Sequence, residues 1–193
     1  MPDTIRDGKG RGWLAAVNSE QQLITRATAV EQRLASATDA NYYEASSDQI
    51  TLTDAVETGI IYLKNENAGK VIVIDRVFFD FWTSTGGSGA DGTLLYYRNP
   101  TITGGTTVEP TNCNFSSEVV AQGTFLHTLT TLTGTHWWDA YITDKTSLAL
   151  DEGRIVLHDG NSFAISVAAP TGNTSMIVNI NVAFYYLDTS LIE

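Results

Sequence analysis

The residues able to do chemistry in this 193-residue chain are few, and their spacing is the first test of each. His127, His136 and His158 are separated by 9 and 22 residues, which adjacent strands could bring together. That spacing matches no zinc-ligand signature, and no His-Glu-x-x-His segment accompanies it. The three histidines read as unrelated side chains, and no metal is expected. A serine nucleophile would need a Gly-x-Ser-x-Gly elbow or an equivalent positioned base, and the sequence holds no such elbow. Carboxylate pairs for glycosidic cleavage could be drawn from Asp139, Asp144, Asp151 and Glu152. In a chain with 22 acidic residues, such pairs arise by chance. The single cysteine, Cys113, can form no intrachain disulfide and reads as an isolated, unreactive thiol. An enzyme is not expected, and no cofactor is implied.

Two glycine-rich segments resemble phosphate loops only superficially. Gly8-Lys9-Gly10-Arg11-Gly12 lacks the preceding strand and the Ser or Thr that must follow a Gly-Lys pair. Gly86 to Gly92 lacks the βαβ setting of a dinucleotide site and reads as a loop. The aromatic cluster His136-Trp137-Trp138-Asp139 holds more promise. On a regular strand Trp137 and Trp138 point to opposite faces. One is then a core residue, and the other an interface anchor or a platform on which a sugar can stack.

The formal net charge is −11, and it is unevenly placed. Residues 1–33 carry Arg6, Lys9, Arg11, Arg26 and Arg33 against four acidic residues, whereas the remainder carries 6 basic and 18 acidic residues. An acidic body argues against nucleic-acid binding, since phosphate contacts need clustered Lys and Arg. It argues equally against an anionic membrane surface. No apolar run approaches the ~20 residues of a membrane helix. The first twelve residues contain no apolar stretch of the signal-peptide kind, so synthesis in a cytoplasm without secretion is expected.

Periodicity divides the chain into an N-terminal arm, residues 1–48, and a β-domain, residues 49–193. The arm begins with a flexible cationic tip and an apolar anchor, in which Arg6, Lys9, Arg11, Trp13 and Leu14 are the candidate contact residues. Leu23, Ala27, Val30 and Leu34 fall at helical spacing, so a short helix is expected around Thr28–Ala37. From Gln49 onward the chain alternates strand-forming residues with Gly, Asn and Asp turns. Gly59–Asn65 turns Ile61 and Leu63 away from Tyr62 and Lys64. Lys70–Trp82 is apolar on both faces, as a central strand should be, with a bulge or bend expected at Asp75-Arg76. Arg154–His158 and Ser162–Ala169 flank an Asp159-Gly160-Asn161 turn and read as a hairpin. Ser175–Leu187 is a closing strand with Met176, Val178, Ile180, Val182, Phe184 and Tyr186 on one face. Many short strands without intervening helices predict an all-β antiparallel sandwich, with a jelly roll the expected version at this size.

Several of these phrases resemble tailed-bacteriophage virion proteins. The opening Asp7-Gly8-Lys9-Gly10-Arg11-Gly12-Trp13-Leu14-Ala15-Ala16-Val17-Asn18 is similar to their start. The likeness continues through Ile50-Thr51-Leu52-Thr53, Gly59 to Asn65, Arg98-Asn99-Pro100-Thr101, Asp159 to Ile165 and Pro170 to Ser175. The chain looks like a capsid decoration (cement) or head-fibre-like protein. That resemblance implies a jelly-roll body, usually a homotrimer, clamped to the major capsid protein on the outside of the head and holding neighbouring capsomers together. It brings no catalytic residues. A receptor- or glycan-binding module of a phage fibre, using Trp137 or Trp138 and the loop Ser84–Gly92, is the alternative.

Overall fold

The computed structural model describes residues 4–6, 14–17, 23–24, 36–37, 39–52, 56–83, 91–143, 147–150, 155–169 and 176–189. The chain divides into two compact units, Met1–Glu31 and Gln32–Glu193.

The first unit contains a three-stranded antiparallel sheet, β1 (Thr4–Arg6), β2 (Leu14–Val17) and β3 (Leu23–Ile24), in that order. Thr4 lies opposite Ala16 and Arg6 opposite Leu14, while Val17 pairs with Leu23. Sequence periodicity missed this sheet because no strand exceeds four residues. Two or three alternations are too few to register as a pattern. Of the helix expected around Thr28–Ala37, only Ser36 and Ala37, both helical, and the segment's neighbours beyond Thr38 are among the described residues.

The second unit carries β4 (Tyr42–Ser46), β5 (Ile50–Thr51), β6 (Glu57–Asn65), β7 (Lys70–Thr83), β8 (Asp91–Arg98), β9 (Thr101–Thr103), β10 (Thr106–Thr107), β11 (Thr111–Asn112), β12 (Gly123–Leu129), β13 (Thr131–Thr133), β14 (His136–Thr143), β15 (Ser147–Leu150), β16 (Ile155–Leu157), β17 (Ser162–Ala168) and β18 (Met176–Asp188). One sheet has the order β10-β12-β6-β17-β8-β14. The other has β11-β4-β18-β7-β15, with β16 also on β7 and β5 also on β18. A ribbon of β9 and β13 lays Ile102 and Leu132 over the outer-face residues Tyr62, Leu95 and Tyr97.

The unit is an antiparallel β-sandwich. Its main core takes Ile61, Leu63 and Phe163 from one sheet and Phe79, Phe81, Val178 and Phe184 from the other. The rings of Phe125 and Phe184 stack across the gap at 5.3 Å. Along β18, Met176, Val178, Ile180, Val182, Phe184 and Tyr186 all enter this core, as the alternation predicts. The long strands pair in a nested fashion: β4 with β18, β6 with β17, β7 with β15 and β16, β8 with β14.

The bulge expected at Asp75-Arg76 is present. Ala183 pairs with Arg76 and Phe184 with Ile74, so Asp75 is the residue skipped. Its effect is to reverse the parity of β7. Ile72 and Ile74 face the core before it, and Val77, Phe79 and Phe81 face the core after it. Asp75 accepts a hydrogen bond from the Tyr42 hydroxyl at 2.7 Å.

Two expectations are corrected. The boundary between residues 48 and 49 lies too late, because β4 belongs to the sandwich: Tyr43 and Ala45 are buried, and Tyr42 to Ser46 pair with Tyr185 to Asn181. The Asp159-Gly160-Asn161 reversal does not close a hairpin. β16 pairs with β7 in one sheet, whereas β17 pairs with β6 and β8 in the other, so the turn carries the chain between sheets. Asn65 holds that crossing. Its side-chain amide donates to the carbonyls of Lys70 (2.8 Å) and Leu157 (2.9 Å), and its backbone exchanges hydrogen bonds with Gly160 and Asn161.

Candidate functional site: the Trp137 cleft

The edge strand β14 brings the aromatic cluster to the surface, but not by simple alternation. His136 pairs with Tyr97 and Trp138 with Tyr96, leaving Trp137 as the extra residue of a β-bulge. The expected opposite-face arrangement is therefore replaced by one in which both indoles meet the buried Tyr96 ring edge-on, at 6.1 Å for Trp137 and 4.7 Å for Trp138. Trp138 is partly buried against the main core. Trp137 remains 52% exposed. Burying an indole is worth several kilocalories per mole of apolar transfer, so leaving one half in water calls for a partner or a purpose.

Trp137 lines a cleft of about 480 Å³. Its floor is Tyr97, Leu157 and Phe163, all buried. Its polar rim is Arg98, Asn99, His158 and Asn161. The rim is fixed by backbone chemistry. Asn99 adopts a left-handed conformation (φ 48°), its Oδ1 accepts from the Ser162 amide at 2.8 Å, and its own backbone N–H donates to the Ser162 carbonyl at 2.9 Å. The Asn99 side-chain amide donates to Asn161 Oδ1 at 3.3 Å. Asn161 in turn donates its backbone N–H to the His158 carbonyl at 3.0 Å. An apolar floor, one exposed indole and a few fixed polar groups are the usual ingredients of a small-molecule site.

Beside the cleft, Tyr97 turns its hydroxyl onto Glu57 at 2.6 Å, and Ser166 donates to the same carboxylate oxygen at 2.6 Å. Burial, then the hydrogen bond to Glu57, pushes the Tyr97 hydroxyl up to about 12. Ser166 is fully buried and donates to Glu57, so the trio ties β6, β8 and β17 together beneath the surface.

The remaining candidates are scattered. Arg6 and Leu14 lie opposite each other in β1 and β2, while Lys9, Arg11 and Trp13 fall outside the described residues. His127 lines a separate groove that includes the carboxylates of Glu44, Asp48 and Glu109. His136 sits edge-on to Tyr97 at 6.0 Å. Only His158 shares the cleft with Trp137. Among the described residues, no group of three or more His, Cys, Asp or Glu side chains could hold a metal ion. Of the loop Ser84–Gly92, residues 84–90 lie outside the described residues, and Asp91 and Gly92 open β8.

Sequence reasoning singled out Trp137 as a candidate but did not group it with Arg98, His158 and Asn161, which line the same cleft. The cleft joins the ends of β8, β14, β16 and β17, and no local spacing encodes that convergence. No protein-family model matches the chain, and no curated protein compared with it is significantly similar.

Proposed function

We propose that this protein is a virion structural protein, a capsid decoration protein whose N-terminal unit grips the outer capsid surface and whose β-sandwich stands on it as a homotrimer. The observation that carries the reading is the division of the chain into a small unit, Met1–Glu31, and a sandwich with a closed core of its own. Three strands of four residues or fewer offer little apolar area, so such a sheet gains most by lying on a larger surface. The cationic residues Arg6, Lys9 and Arg11 concentrate in this unit, against an acidic body. The nested strand pairing supports reading the sandwich as a jelly roll, the fold that the resemblance to phage head proteins implies. Three weak grips on one trimer bind far more tightly than one.

The test is co-sedimentation with purified capsids, comparing the full chain with a form lacking residues 1–31. The shortened protein should keep its thermal transition and its trimeric mass but lose capsid binding. Undiminished binding by it would defeat the proposal, as would a monomeric mass for the full chain.

One observation favours a second reading. The exposed Trp137 above a preformed cleft fits a saccharide-contacting module, on the head or on a fibre. Loss of sugar binding in Trp137→Ala, with Trp138→Phe unaffected, would support it.

A further inference from the structure

We infer that the Trp137 cleft selects an acidic saccharide, a pyranose bearing a carboxylate, with Trp137 stacking on the sugar's apolar face and Arg98 pairing with the carboxylate. This rests on the second reading above and specifies its ligand.

The electrostatics of the molecule make Arg98 the informative residue. The chain carries 11 basic residues against 22 acidic ones, and a second groove among the described residues has Glu44, Asp48 and Glu109 in its lining. Against that background the Trp137 cleft has a guanidinium at its rim and no carboxylate among its described lining residues. Arg98 is exposed and forms no salt bridge with any described residue; Lys64, by contrast, is engaged by Glu66 at 3.0 Å. A planar guanidinium that no described residue engages is matched to a carboxylate, which it can bind through two parallel hydrogen bonds.

The neighbouring groups supply what a sugar ring needs. A pyranose presents a flat face of C–H groups, and an exposed indole covers such a face at little cost in side-chain entropy. The Asn161 Oδ1 is occupied by Asn99, which leaves its side-chain N–H₂ without a partner among the described residues and available to a hydroxyl. His158 is exposed at the same rim and can donate or accept through its ring. Asn99 and Asn161 are already held by Ser162 and His158, so binding orders little of that part of the rim, and the ordering cost falls on Arg98. A polyol phosphate could use Arg98 but offers no flat face to Trp137. A nucleic acid would need many more cations than one.

The experiment is titration calorimetry on the full chain at low salt, with sialyllactose and a hexuronate disaccharide against lactose. The acidic sugars should bind at least tenfold more tightly than lactose, and added salt should erode the difference. Arg98→Gln should remove the preference while leaving weak binding of lactose. Trp137→Ala should abolish binding of all three, and Trp137→Phe should restore part of it, with circular dichroism confirming that each variant is folded. Equal affinity for acidic and neutral sugars, unchanged by Arg98→Gln, would overturn the acidic selectivity and leave a saccharide site standing. No binding of any probe at millimolar concentration would overturn both.

Discussion

Asn65 shows how one buried amide can decide a connection. It is fully buried, its Oδ1 accepts from the Asn67 amide at 3.0 Å, and its two amide hydrogens satisfy carbonyls on β7 and β16. Asn65→Ala would strand those carbonyls and should cost about 2–3 kcal/mol, read as a fall in the urea midpoint at unchanged slope. Tyr97 makes a second prediction at this scale. Burial first, then Glu57, holds its hydroxyl protonated up to about 12, against about 10 in an unfolded chain. Burial likewise raises Tyr42 and Tyr186. A raised value means that the folded state keeps a proton which the unfolded state releases. The stability linked to it is complete below about pH 10 and is lost as pH climbs through about 12. Urea midpoints measured across that window should fall steeply in wild type and less steeply in Tyr97→Phe. Burial, and then the charge of Glu44, raises the Cys113 thiol, so native protein should react slowly with thiol reagents near neutrality and unfolded protein quickly.

At the scale of elements, the bulge at Asp75 sets which face of β7 meets the core. Deleting Asp75 would turn either Ile72 and Ile74 or Val77, Phe79 and Phe81 to the outside. Each large side chain displaced from the core costs about 2–5 kcal/mol, enough to abolish a cooperative transition. Asp75→Ala keeps the residue count and removes the Tyr42 bond, a cost of about 1–2 kcal/mol. A small effect of the deletion would refute the register role. Much of this level was legible in sequence. The two-residue periods of β6 and β18 put Ile61, Leu63, Val178 and Ile180 where they are found, and the charged pair in β7 marked its bulge. What escaped was non-local. An Asp-Gly-Asn turn reverses the chain without saying which sheet receives the next strand. Tyr42–Ser46 alternates correctly, with Tyr43 and Ala45 inward, but five residues beside a polar leader are a faint signal. The Trp137 bulge and the grouping of Arg98 with Asn161 depend on tertiary pairing, which no window of sequence contains.

For the whole molecule, nesting makes the outermost pair, β4 with β18, join residues from nearly opposite ends of the sandwich unit, as with Tyr42 and Tyr185. Closing such long loops before any contact rewards them slows folding. Refolding of residues 32–193, followed by tryptophan fluorescence, should fall in the millisecond-to-second range, and microsecond refolding would contradict this topology. The same pairing has a practical corollary. Lys70 meets Asp188 at one pole of the sandwich, where the Tyr186 amide also bonds Asn41, and Thr83 meets Met176 at the other. A passenger peptide fused after Asp188 would leave beside Asn41 and the start of β4 and would crowd that strand. One spliced between Thr83 and Asp91 would depart from the far pole, which makes that junction the better place to exhibit a foreign epitope.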